Sequence, residues 1–157
     1  MLYTAEQRRR RDATRWTVVQ GVLAPVQFLA FAASLVLVVR TLATGTGAQA
    51  AAVSVVIKTL FLYAIMVTGA IWEKKVFGRY LFAGPFFWED VFSMLVIGLH
   101  TAYLGALFTG YLGVRGQLWL ALAAYAAYVV NAAQFVLKLR TARLDEARSP
   151  LAEGAAT

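Results

Sequence analysis

Four runs of apolar residues, each close to the ~20 that a helix needs to cross a lipid bilayer, constrain this chain more than any other feature. They cover about 16–39, 51–72, 89–112 and 118–139. Hydrocarbon offers no water to the backbone, so runs of this length must satisfy their own amides as helices. The apolar residues come in blocks, without the alternation of strands or the one-sided stripe of a soluble helix, which makes lipid the outer solvent. With 61% apolar and 15% charged residues, the chain falls well below the roughly 25% charged content of soluble domains. The expected fold is therefore all-α: an integral membrane four-helix bundle. Gly45-Thr46-Gly47 breaks the first pair of runs, and the segment from Gly113 to Gly116 breaks the second.

Charge predicts the orientation. Arg8, Arg9, Arg10, Arg11 and Arg15 precede the first run. Lys74, Lys75 and Arg79 fall between the second and third, and Lys138, Arg140, Arg143 and Arg148 follow the fourth. Only Arg40 and Arg115 fall on the opposite side, so the positive-inside rule makes both termini and the middle loop cytoplasmic. Trp16, Trp72 and Trp88 then mark the cytoplasmic interface and Trp119 the other. The net charge of +7 thus reads as a topology signal, and nucleic acid is not an expected partner. Arg8 to Arg11 and Ala30-Phe31-Ala32 suggest a signal peptide, but the apolar run continues through Val39 and reads as a retained span. A multi-pass membrane protein is expected. The chain has no cysteine, which removes disulfides, thiolate nucleophiles and iron–sulfur ligation. The domain reading is a basic arm over 1–15, a four-span domain over 16–140 with an interfacial loop at 73–88, and a flexible tail over 141–157.

Polar residues within the spans should face inward, because lipid penalises them. Gln20, Gln27 and Ser34 recur every seven residues on one face of the first span, near a kink at Pro25. Glu89, Ser93 and His100 share a face of the third. Tyr128, Asn131, Gln134 and Lys138 line the fourth, and Lys58, Tyr63 and Thr68 lie on the second. Glu73, Glu89 and Asp90 cluster at the cytoplasmic end, the natural place for proton chemistry beside hydrocarbon. Glu89 and Asp90 are ~100° apart on a helix, so one of them is expected to face the bundle. Plainer roles stay open. Gln, Asn and Ser commonly bond between membrane helices, and Glu89 and Asp90 suit a helix start. Glu73 can pair with Lys74 or Arg79, and Lys58 is expected to reach back to the far interface. His100 reads as a bonded interior residue, a proton relay or an axial metal ligand, and a single histidine excludes a haem held by two.

The residues LYTAEQRRRRDATRWTVVQGVLAPVQF (2–28), VTGAIWEKKVFGRYLF, FFWEDVFS, LHTAYLGALFTG (99–110) and AAYAAYVVNAAQFVLKLR (123–140) resemble the vinyl-bacteriochlorophyllide hydratases of bacteriochlorophyll biosynthesis over nearly the whole chain. The resemblance implies a membrane enzyme that adds water to the 3-vinyl group of a chlorophyllide, giving a 3-(1-hydroxyethyl) product, in a photosynthetic or intracytoplasmic membrane. It implies a magnesium tetrapyrrole as substrate, with neighbouring pathway enzymes or further copies of the chain as partners. Such a hydration begins by protonating the terminal vinyl carbon, so it needs an acid that keeps its proton at neutral pH and a base for water. Carboxylates crowded together away from bulk water meet that need. Glu89 with Glu73 as its partner is the expected pair, with Asp90 the third candidate. Ser93, Gln27, Gln20, Asn131 and Gln134 are the expected polar lining. Tyr80, Phe82, Phe86 and Phe87 would stack on the ring, His100 could ligate its magnesium, and Lys74, Lys75, Arg79 or Lys138 could receive its propionate. No cofactor is expected beyond water as co-substrate. A pigment-binding or assembly protein without catalysis, and a small transporter, are the alternatives.

Overall fold

The computed structural model describes residues 1–154, with side chains to Arg148. It is all-helical among those residues. Helix α1 (Ala5–Ala13) is followed by α2 (Arg15–Thr44), α3 (Ala48–Phe77), a 3-10 turn (Gly84–Phe86), α4 (Phe87–Thr109) and α5 (Gly113–Gly154). Each of α2 to α5 is long and apolar enough to cross a membrane. The break at Gly45-Thr46-Gly47 falls where expected, whereas the second turn lies at 110–112 and the segment from Gly113 to Gly116 begins α5; the helices also overrun the apolar runs at several ends. At ~1.5 Å per residue, the 30 residues of α2 extend past a bilayer's ~30 Å core.

Helix α2 packs against α3 and α5, and α4 against α3 and α5, closing a four-membered ring. Large apolar residues such as Val22, Leu29, Val36, Leu60, Val67 and Val136 are exposed around its outside, as lipid solvation requires. The interior holds Ala51, Ala121 and Ala124 beside Phe31, Tyr103, Tyr125 and Tyr128. Small residues let the backbones approach, which matters in lipid, where packing replaces hydrophobic exclusion as the force between helices.

Helix α1 caps the end of the bundle where α3 finishes and α4 begins. A capping box between Thr4 and Gln7 starts it. Tyr3 then enters an aromatic roof, stacking on Phe77 at 5.8 Å and tilting against Phe86 at 6.5 Å. Trp72 and Phe135 complete the roof around Phe86.

The tail expected over 141–157 is instead the continuation of α5 as far as Gly154, with 155–157 outside the described residues. Its polar composition suggested a loop, yet Ala142 is buried against the roof and Glu146 binds Arg11 at 2.7 Å. The interfacial loop is also shorter than expected. Residues 73–77 belong to α3 and residues 87–88 to α4, leaving 78–86 between them.

A carboxyl pair under a two-amide loop

Helix α3 ends at Gly78, whose left-handed φ of 84° lets its amide bond back to Lys74 and turns the chain across the bundle end. The loop returns over the last turn of α3 and the first turn of α4. Phe82 has a φ of 58°, a conformation in which its Cβ is crowded, at a cost of roughly 1–2 kcal/mol. That twist aims two successive amides inward. The Phe82 N–H donates to Asp90 Oδ2 at 2.6 Å, and the Ala83 N–H donates to Glu73 Oε2 at 3.3 Å. Successive amides thus bring the two carboxyl groups together at one end of the bundle. Both side chains are buried, Glu73 at 5% and Asp90 at 3% exposure.

Glu89 is buried as well, which corrects the expectation that only one of the adjacent acids faces inward. The first turn of α4 is enclosed by the loop on one side and by α5 on the other, so both directions lead into protein. Glu89 does not join Glu73. Its Oε2 accepts from Lys138 at 2.7 Å, and Lys138 also donates to the Pro85 carbonyl. Above this ion pair, Ser93 donates to the Glu89 carbonyl at 2.8 Å and to Asn131 Oδ1 at 3.1 Å. The Asn131 amide donates to the same carbonyl at 2.9 Å and to Gln134 at 3.5 Å. Ser93, Asn131 and Gln134 are thus brought together, and they brace the start of α4.

The other expected residues divide by depth. Gln20 donates to Thr68 at 2.6 Å, joining α2 to α3. Gln27 is buried and its Oε1 has no protein partner. His100 is wholly buried, with Nδ1 at 2.7 Å from the Val96 carbonyl and Nε2 at 3.0 Å from Lys58 Nζ. Both ring nitrogens are engaged, so no lone pair faces outward for a magnesium. Lys58 does not reach the far interface. It is fully buried, bonded to His100 and set over the Tyr128 ring at 3.8 Å. No acid occurs between Asp12 and Glu73 or between Asp90 and Asp145, so imidazole and aromatic rings take the place of a counter-ion.

Among the aromatics, Phe86 is spent on the internal roof, a correction to its expected stacking role. Phe87, Trp88 and Tyr80 are exposed beside the loop, and Phe82 packs on Phe87 at 5.8 Å. Lys74 closes onto the Gly78 carbonyl and the Tyr80 ring, while Arg79 is exposed. Sequence reasoning missed the Phe82 and Ala83 amides and the Pro85 carbonyl. Backbone groups carry no sequence signal beyond the Gly78 and Gly84-Pro85 breaks that mark the loop.

Four membrane-length helices closed around a buried carboxyl pair, with exposed rings beside it, define a small all-helical protein with an acidic site at one end. Comparison narrows that class. The family model for 2-vinyl bacteriochlorophyllide hydratase matches residues 3–141. The chain is 68% identical over 146 residues to the 2-vinyl bacteriochlorophyllide hydratase of Rhodobacter capsulatus, covering 93% of this chain and 85% of that one. It is 70% identical over 145 residues to the protein of the same description from Cereibacter sphaeroides, covering 92% and 89%. The chain belongs to the 2-vinyl bacteriochlorophyllide hydratase family and is an enzyme of the hydro-lyase class. No solved structure matches it.

Proposed function

We propose that this protein adds water to the vinyl group of a chlorophyllide-type magnesium tetrapyrrole, using Glu73 and Asp90 as a shared acid and base. The ring carbon that bears the vinyl group is position 3 in current numbering of the macrocycle and position 2 in the family's description. The observation that carries the reading is two buried carboxyl groups seated on successive amides, Asp90 on Phe82 and Glu73 on Ala83, where mutual repulsion away from water favours one proton kept between them.

The chemistry balances on that single proton. The protonated member gives it to the terminal vinyl carbon, making a methyl group and leaving positive charge on the carbon bonded to the ring. The macrocycle spreads that charge, water adds to the same carbon, and the ionised member takes water's surplus proton. One water is consumed and the pair regains its proton, with no change of oxidation state. The amides of Phe82 and Ala83 stabilise whichever oxygens are negative at each stage.

The bundle spans a bacterial inner, photosynthetic or intracytoplasmic membrane with both termini cytoplasmic, a reading supported by twelve of the basic residues falling at one end. The pigment approaches from the cytoplasmic interface across Tyr80, Phe82, Phe87 and Trp88, whose rings suit a flat ligand. Lys75 and Arg79, both exposed where α3 runs into the loop, receive its carboxylate.

Membranes carrying the protein are incubated with a vinyl chlorophyllide and followed by absorption. Loss of the vinyl group shortens the conjugation, so the red-most band moves to the blue and the product is one water heavier. Glu73→Gln and Asp90→Asn should each slow this by about 10²-fold or more, the usual worth of a general acid or base. Turnover at the wild-type rate in both variants would remove the pair from the chemistry.

A further inference from the structure

Lys138 joins three elements at a single ammonium. Its ammonium, on α5, bonds the Glu89 carboxylate in the first turn of α4 at 2.7 Å, bonds the Pro85 carbonyl in the 3-10 turn, and lies 5.4 Å from the centre of the Phe86 ring. Pro85 is only two residues past Ala83, whose amide reaches Glu73. The far end of the same loop is therefore pinned by Lys138, while its near end is set by the turn at Gly78. Asn131, two helical turns up α5, bonds the Glu89 carbonyl at 2.9 Å and fixes the register of α4 against α5.

We propose that Lys138 and Glu89 form a latch that positions the Phe82–Pro85 loop, and through it the two amides, over the Glu73–Asp90 pair. The inference rests on that pair being the reacting group. Glu89 then touches neither substrate nor water. Its carboxylate holds the ammonium in place, and the ammonium holds the Pro85 carbonyl. Bonds between charged partners are shorter and stronger than neutral ones, which suits a contact that must keep a strained loop closed. Without Lys138, the buried Glu89 carboxylate and the half-buried Pro85 carbonyl lose their partner together. The cheapest relief is for the loop to relax at Phe82, whose left-handed backbone is the strained point.

The test measures kcat and KM for vinyl chlorophyllide in membranes, beside Glu73→Gln and Asp90→Asn. Lys138→Met should lower kcat about tenfold with KM within about twofold, because positioning and not binding is lost. Lys138→Arg should regain most of that rate, since a guanidinium can reach both acceptors. Glu89→Gln should cost about as much as Lys138→Met, far less than Glu73→Gln, and the double variant should cost no more than either single change. If Lys138→Met does not accumulate, Lys138→Gln keeps a donor for Pro85 and carries the same comparison.

Two results would overturn the latch. Glu89→Gln as inactive as Glu73→Gln would make Glu89 a reacting group. A raised KM at unchanged kcat in the Lys138 variants would make Lys138 a substrate contact. Full activity in Glu73→Gln and Asp90→Asn would instead overturn the carboxyl-pair reading, whatever Lys138 does.

Discussion

Lys58 sits where a lysine is least expected, wholly buried at mid-bundle with an imidazole and two tyrosine rings for company. Ser34 continues the polar patch, bonding Tyr125 at 2.6 Å and Ser54 at 2.7 Å. Depth separates it from the chemistry: eleven helical residues put His100 ~17 Å from Glu89 along α4. Removing either partner strands the other, whereas replacing both with apolar groups removes the stranded atom as well. Lys58→Met or His100→Leu alone should therefore cost about 1–3 kcal/mol, and the double variant much less than their sum. Denaturant unfolding in detergent measures the difference, and all three variants should retain hydratase turnover. At this scale the acids were legible from sequence as a cytoplasmic cluster, but their pairing was not. Helical spacing gives the face of Glu89 and Asp90, yet it is the loop across from them, through the amides of Phe82 and Ala83, that selects Asp90 for Glu73. Lys58 was misread for a related reason. Snorkelling is the default for a lysine near a helix end, and nothing local reveals a histidine 42 residues away.

Among the elements, α1 and the end of α5 depend on one another. Arg11 binds Glu146 at 2.7 Å and lies over the Tyr3 ring at 4.9 Å, so the arm is held by charge at one point and by aromatic packing at another. Burial pushes the Tyr3 phenol up from 10 to about 12, against the opposing pull of Arg11. The docked state thus favours the neutral phenol. Its contribution is complete below pH 10 and is lost as pH rises through about 12. In an alkaline titration by tyrosinate absorbance, the signal removed by Tyr3→Phe should appear near 12. A signal near 10 would mean that α1 stands undocked. The four long helices were readable from their apolar runs, because lipid imposes one solution on such segments. The extension of α5 was not. Its last turns are polar, and what orders them is Ala142 and Glu146 meeting an arm more than 130 residues earlier.

For the whole molecule, the distribution of charge makes topology testable on a clean background. The chain has no cysteine, so single cysteines at Arg9, Arg79 and Arg148 should react with an impermeant thiol reagent from one side only. Cysteines at Thr46 and Tyr111, in the two opposite turns, should react from the other. A mixed result within either set would break the four-span reading. The last feature concerns α5. Tyr128 under Lys58, Asn131 on the Glu89 carbonyl, Phe135 on Phe86, Lys138 on Glu89, Ala142 against the roof and Glu146 on Arg11 follow one another at steps of three or four. They form one line along one unbroken helix, so the helix works like a cam. Inserting one residue after Val136 would delete no side chain, yet it would turn everything beyond by ~100°. Tyr128, Asn131 and Phe135 would keep their seats while Lys138, Ala142 and Glu146 all missed theirs. In this protein the phase of a single helix carries as much instruction as the identity of the residues along it.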